Sequence, residues 1–121
     1  MFGVGIANNG GGTDGVEVEL PAIPVAAGED ILLVRSESAI GAYFGDCFSE
    51  FEHVISENTS AVSQNGDDAV ELFELGQLIE TFGDADVDGT GESWEYMDSW
   101  AYKVEGEWTF GAINCTDGAA T

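Results

Sequence analysis

The sequence predicts an all-β domain, an antiparallel β-sandwich with one short helix near residues 38–44. Two observations favour this class. Short segments in which apolar and polar residues alternate recur along the 121 residues, and 17 glycines punctuate them. Alternation is the period of a half-buried strand, and glycine suits the tight turns that join strands. Only one segment is best described by helical spacing, so the prediction is dominated by strands.

The first predicted strand is VEVEL, residues 16–20. Its valines and leucine fall on one face and its two glutamates on the other, as in a strand that buries one side. The preceding segment ANNGGGTDG, residues 7–15, is interpreted as an irregular loop because it lacks the lysine and the following helix of a phosphate-binding loop. Pro21 and Pro24 end the regular pattern after the strand. The run from Ile31 to Val34 is continuously apolar and predicts a second strand, buried on both faces.

The segment SESAIGAYFG, residues 36–45, is the predicted helix. Its apolar and aromatic residues recur at intervals of three and four, which places them on one helical face. Ser36 or Ser38 is suited to cap the first turn, and Gly45 is suited to end the last one. Residues 45–66 are irregular and end in a turn signal, Gln64-Asn65-Gly66.

The segment AVELFELGQLIETFG, residues 69–83, fits either a helix or a hairpin by apolar spacing alone. Gly76 decides between them, because a mid-helix glycine costs about 1 kcal/mol and a glycine in a turn costs nothing. The sequence therefore predicts two strands joined by a turn at Leu75-Gly76.

A second hairpin is predicted near the end of the sequence. Trp100, Tyr102 and Val104 alternate with polar residues, and a turn at Glu105-Gly106 leads to a further alternating segment. We expect Trp100 and Trp108 on the inward faces of these two strands. Lys103 is expected on the opposite, outward face.

Charge is the unusual feature of the composition. The chain has 24 acidic residues against 2 basic ones, Arg35 and Lys103, and a formal net charge of −22. Such a surface repels phosphate backbones and anionic membranes, so we expect neither direct nucleic-acid binding nor membrane binding. No apolar run has the length of a membrane span. An acidic surface also attracts cations, so every carboxylate cluster must be weighed against general acidity.

The segment DADVDGTGESWE, residues 84–95, follows the template of a calcium-binding loop. Carboxylates recur at the first, third and fifth positions, a glycine follows, and a glutamate closes the loop at the twelfth. The candidate calcium ligands are Asp84, Asp86, Asp88, Thr90, Glu92 and Glu95. A paired EF-hand is rejected because no helix precedes the loop. A lone calcium loop between strands and a solvated acidic turn both remain open.

Few other residues suggest a functional site. Asp67 and Asp68 come directly before a strand, where carboxylates more often bond to turn amides than perform acid–base chemistry. His53 is the only histidine and lacks an evident serine or cysteine partner motif. Cys47 and Cys115 lack the spacing of a zinc site, and they form either one disulfide or two free thiols. We therefore expect that the chain is not an enzyme.

Four blocks resemble bacterial lamin-tail-like domains and occur in the same order: GVGIANNGGGTDG, NGDDAVELF with GQLIETFG, VDGTGESWEYMDSWAYK and EWTF. The sequence looks like the version attached to secreted proteins of marine bacteria, including extracellular nucleases and surface proteins. The resemblance covers most of the chain and implies a single immunoglobulin-like β-sandwich domain over residues 1–121, secreted or at the cell surface. The aspartate triplet is not a fixed feature of the family, so the resemblance gives calcium no support.

The resemblance implies a non-catalytic accessory role in an extracellular setting. We expect an extracellular interaction or adhesion module whose ligand is a protein or a glycan, and which calcium stabilises if the acidic loop binds it. The alternative is an accessory domain that positions a substrate for a secreted hydrolase, such as an extracellular nuclease. Family members usually have one or two strands before the GVGIANNGG block, so we expect a domain that lacks N-terminal strands. An exposed sheet edge would then favour a homodimer.

Overall fold

The structure, a computed structural model, describes residues 1–118, so the last three residues of the predicted domain lie outside it. It contains eight strands: β1 (Phe2–Ala7), β2 (Val18–Glu19), β3 (Ile31–Val34), β4 (His53–Ser56), β5 (Ala69–Glu74), β6 (Gln77–Phe82), β7 (Ala101–Val104) and β8 (Glu107–Phe110). One α-helix, α1 (Glu37–Phe44), lies between β3 and β4. Three short 3₁₀ helices are formed by Asn8–Gly10, Gly45–Glu50 and Ser60–Val62. The predicted β-rich class with one short helix is confirmed.

The main sheet has four strands in the order β2-β1-β5-β6, and all its pairs are antiparallel. It contains the predicted hairpin of residues 69–82, and the helical alternative for this segment is wrong. Leu75 and Gly76 form the turn with φ values of 51° and 78°. A two-residue hairpin turn needs positive φ at both central residues, because only then does the turn match the right-handed twist of the two strands.

Strand β1 lies in the middle of this sheet, and local periodicity did not indicate it. Phe2, Val4 and Ile6 alternate with glycines, so one face of the strand carries almost no side chains. A Cβ atom on Gly5 would lie 2.3 Å from the carbonyl oxygen of Gly15. The glycine is therefore needed because the loop before β2 passes directly over the strand.

Helix α1 begins and ends where the sequence predicts. The Ser36 side chain accepts a hydrogen bond from the Ala39 amide at 3.3 Å and caps the first turn. Gly45 follows the last residue with a φ of 57°, a conformation that favours glycine. The helix connects β3 to β4, and these two strands pair in parallel. The parallel pair corrects the prediction of a purely antiparallel fold, since a helical crossover lets the second strand run in the same direction as the first.

The prediction that β3 is buried on both faces is wrong. Val34 is buried, whereas Ile31 is exposed and the two leucines between them are half-buried. Among residues 1–118, β3 pairs with β4 alone, so the strand belongs to a small two-stranded sheet. The continuous apolar run correctly indicates a strand here, but it does not indicate that the strand is buried.

The last hairpin, β7–β8, forms with the predicted turn at Glu105-Gly106, but its facing differs from the prediction. Lys103 pairs with Trp108, and Tyr102 pairs with Thr109. Directly paired residues share a face, so Trp108 and Lys103 lie on one face of the hairpin. Tyr102 lies on the other face, together with Trp100, which stacks on it. Trp100 is 43% exposed, so its predicted inward position is wrong. The two-residue turn causes the reversal, since it shifts the alternation by one position between the strands.

Phe82, at the end of β6, joins the main sheet to the rest of the chain. Its ring lies edge-on to Trp94, Tyr96 and Trp108, with centroid distances of 6.1, 5.2 and 4.9 Å. The Trp108 indole N–H also donates to the carbonyl oxygen of Thr81 at 3.2 Å. The inner face of the last hairpin is therefore packed against β6. The buried apolar residues are Ile6, Ala7, Val18, Val34, Ile55, Ala61, Ala69, Phe73 and Phe82.

Candidate functional site

The acidic loop, residues 84–95, connects β6 to the last hairpin and is closed by its own amides. Asp84 Oδ1 accepts from the Asp86 amide at 3.0 Å, and Asp88 Oδ1 accepts from the Thr90 amide at 3.0 Å. Glu95 Oε2 accepts from the Gly91 amide at 2.7 Å. The bond from the Thr90 amide holds the pKa of Asp88 below its ordinary value. Three of the predicted ligand side chains thus satisfy turn amides, as aspartates in loops commonly do.

The other three predicted ligands, Thr90, Asp86 and Glu92, do not complete a metal-binding cluster either. The Thr90 hydroxyl donates to Asp67 Oδ2 at 2.8 Å, and the side chains of Asp86 and Glu92 are exposed. Among residues 1–118, no three His, Cys, Asp or Glu side chains come close enough together to hold a metal ion. This arrangement does not fit a calcium site of three or more carboxylates. The calcium hypothesis stays a prediction.

Asp67 and Asp68 anchor the acidic loop to the body of the domain. The Gly89 amide donates to the Asp67 carbonyl oxygen at 2.9 Å, and the Tyr96 hydroxyl donates to the Asp68 carbonyl oxygen at 2.9 Å. Asp68 is 4% exposed, and its Oδ1 accepts from the Asn9 amide at 3.0 Å. The predicted structural role is therefore confirmed for Asp68, which holds the loop after β1. Burial, followed by the charges of Asp68 and Asp67, raises the pKa of Tyr96.

Glu71 is a buried carboxylate in β5, and no signal in the sequence indicated its burial. It is 1% exposed and lies on β5 opposite Gly5. Its Oε1 accepts from the Thr13 hydroxyl at 2.5 Å, whereas Oε2 is buried without a hydrogen-bond partner. Alternation along AVELF signals which face Glu71 occupies, but only the loop that covers this face makes it buried.

His53 and the two cysteines have simple surroundings. His53 Nε2 lies 2.9 Å from Glu29 Oε2, and this bond lowers the pKa of Glu29. Cys47 and Cys115 are both exposed free thiols. Of the two alternatives that the sequence left open for the cysteines, the structure has the free thiols.

The outer face of the last hairpin exposes a contiguous group of large apolar side chains. Trp100 and Tyr102 stack with their centroids 5.2 Å apart and their planes at 27°. Tyr102 is 53% exposed and Val104 is 48% exposed. We call Trp100, Tyr102 and Val104 the aromatic face. Tyr102 and Val104 lie on one side of β7, because side chains two residues apart in a strand point the same way. Trp100 comes directly before β7, and its stacking on Tyr102 places it on that side too.

The inner face of the same hairpin carries a cation. The Lys103 ammonium lies 5.2 Å from the centroid of the Trp108 ring and forms an ion pair with Glu80. The hydrogen bond from Lys103 holds the pKa of Glu80 below its ordinary value. An ammonium within about 6 Å of a tryptophan ring is attracted by the negative face of that ring. The inner face is therefore a complete cation–π arrangement with a carboxylate as counter-charge.

No family model, curated protein or solved structure matches this chain. Within residues 1–118, no helix combines the length and apolar character that crossing a membrane requires.

Proposed function

We propose that the chain is a non-catalytic extracellular interaction module that binds its partner on the aromatic face. The proposal includes the lamin-tail-like family, its immunoglobulin-like sandwich, and a secreted or cell-surface setting. Its support from the sequence is the ordered set of motif blocks from NGDDAVELF to EWTF. Its support from the structure is a β-rich domain in which those blocks form the two hairpins, β5–β6 and β7–β8.

The exposure of Trp100 and Tyr102 is the observation that carries the proposal. A hairpin needs one apolar face to pack against the sheet, and Trp108 already provides it through Phe82 and Thr81. The aromatic face is therefore additional apolar surface that folding leaves in water. Isolated exposed apolar residues are ordinary, but a contiguous aromatic patch marks an interaction site more often than chance. Tryptophan and tyrosine are also enriched among the residues that dominate binding energy.

The accessory role beside a secreted nuclease is less favoured on electrostatic grounds. Positioning DNA or RNA would require the module to hold a polyanion, and a formal charge of −22 opposes this at every distance within the Debye length. A neighbouring hydrolase with an uncharged or cationic substrate remains compatible with the aromatic face.

The test is a solution NMR titration of the isotope-labelled chain with a panel of probes. The panel contains an arginine-bearing peptide, a neutral oligosaccharide and an acidic peptide. We expect at least one probe to shift the Trp100 indole and Tyr102 ring resonances saturably. The combined Trp100→Ala and Tyr102→Ala variant should retain the fold and lose this binding. If every probe leaves the aromatic face unperturbed, or binds only elsewhere, the proposed function is wrong.

A further inference from the structure

Both faces of the last hairpin carry aromatic rings and a carboxylate, but only the inner face also carries a cation. The inner face has an aromatic ring at Trp108, a carboxylate at Glu80 and the ammonium of Lys103 between them. The outer face has the stacked rings of Trp100 and Tyr102. It also has carboxylate and hydroxyl groups, which come from the neighbouring strand β8.

The register identifies those groups. Glu107 pairs with Val104, and Thr109 pairs with Tyr102, so both side chains lie on the same side as the aromatic face. Glu107 is one diagonal step from Tyr102, a separation that long side chains can span in an antiparallel pair. The outer face thus has rings and a counter-charge but no cation of its own.

The chain has no spare basic side chain to fill that place. Lys103 is held on the inner face. Arg35, the other basic residue, donates to Asn58 Oδ1 at 3.3 Å and to Ser63 Oγ at 2.5 Å. With 24 acidic residues, the surrounding field also draws cations toward the surface and repels anions.

We propose that the aromatic face binds an arginine or lysine side chain of a partner protein. The inference rests on the proposed function and names the chemistry of its ligand. The cation lies over the rings of Trp100 and Tyr102, and Glu107 supplies the counter-charge. Arginine fits best, because its planar guanidinium stacks on aromatic rings and is more weakly hydrated than an ammonium. A sugar ring would also stack, but sites for neutral ligands add several convergent polar groups, and Thr109 is the only uncharged polar side chain that the register places beside Tyr102.

The decisive probes are two peptides that differ only in charge. One carries arginine between glycines, and the other carries citrulline, the neutral isostere, at the same positions. Cation–π attraction at exposed and partly desolvated sites predicts that the citrulline peptide binds about two- to thirtyfold more weakly. Both are titrated into the labelled chain at matched ionic strength, with the Trp100 and Tyr102 resonances as the readout.

Variants separate specific binding from the general attraction of an acidic protein for cations. Trp100→Ala and Tyr102→Ala leave the net charge unchanged, and each should weaken binding of the arginine peptide severalfold. Glu107→Gln should weaken it and reduce its salt dependence. Glu74→Gln removes the same charge from the exposed end of β5 and should have little effect. A circular dichroism melt establishes that each variant is folded.

Three results would overturn the inference. Equal binding of the citrulline peptide would remove the cation from recognition while leaving the interaction module intact. Saturable binding of the neutral oligosaccharide at Trp100 and Tyr102, in preference to the arginine peptide, would replace a protein ligand with a glycan. Undiminished binding of the arginine peptide to the Trp100→Ala and Tyr102→Ala variants would show bulk attraction only. Absence of any binding at the aromatic face would instead contradict the proposed function itself.

Discussion

Phe82→Ala is the substitution that we expect to destabilise the protein most. Phe82 is 7% exposed and touches Trp94, Tyr96 and Trp108, so it holds the acidic loop and the last hairpin against the main sheet. Truncation of a buried phenylalanine costs about 3–5 kcal/mol through lost burial and the cavity that remains. We expect a loss of about 4 kcal/mol in the free energy of unfolding.

Phe82→Leu divides this loss into its two parts. Leucine keeps most of the buried apolar volume but lacks the ring that makes three edge-to-face contacts. Each such contact contributes about 0.5–1.5 kcal/mol beyond buried area, so three at the lower value give about 1.5 kcal/mol. The leucine variant should therefore lie between the wild type and Phe82→Ala.

Urea unfolding followed by tryptophan fluorescence measures these differences. All variants should be compared in about 1 M sodium chloride, where the Debye length is about 3 Å and the net charge is well screened. Trp100→Ala is the matched control: it removes a larger side chain, yet one that is 43% exposed, and should cost less than about 1 kcal/mol. A loss below about 1 kcal/mol for Phe82→Ala, or an equal loss for Trp100→Ala, would refute the assignment of the two faces.

Three further predictions concern pH, calcium and assembly. Above pH 10, the ordinary pKa of tyrosine, the unfolded chain loses a proton that folded Tyr96 keeps, so stability should fall as pH rises. Melts from about pH 9 to 11 should show a smaller fall in stability for Tyr96→Phe than for the wild type, and an equal fall would contradict this prediction. The calcium hypothesis requires a melting temperature that is higher with calcium than with chelator at equal ionic strength, by the equivalent of about 2.7 kcal/mol at a hundredfold excess over Kd. Asp86→Asn combined with Asp88→Asn should abolish that rise, and coincident wild-type melts would contradict the hypothesis. If two copies pair through the β2 edge, sedimentation should detect a dimer whose affinity rises with salt, because salt screens the net charge of −22 on each copy. A monomer at high protein and salt concentration would contradict this pairing.

Local signals were sufficient for the elements whose contacts are close in sequence. The turn at Leu75-Gly76 and the alternation around it determine the β5–β6 hairpin, because paired residues are separated only by the turn. Ser36 and Gly45 determine the ends of α1 for the same reason, since caps satisfy amides and carbonyls within one turn. The turn at Glu105-Gly106 also makes Trp100 and Trp108 face opposite ways, because a two-residue turn pairs Val104 with Glu107. The prediction that both tryptophans face inward missed this consequence of the turn length.

Only the tertiary structure decided which of those faces is inward and what the acidic loop does. Alternation gives two faces without saying which one meets Phe82, and that choice depends on contacts between residues far apart in sequence. The same holds for the burial of Glu71 beneath residues 13–17 and for the parallel pairing of β3 with β4. In the acidic loop, the spacing of the aspartates resembles a ligand set, but Asp84, Asp88 and Glu95 accept hydrogen bonds from nearby amides. Those donors are the loop's own amides, and hydrogen bonds to Asp67 tie the same loop to the segment before β5.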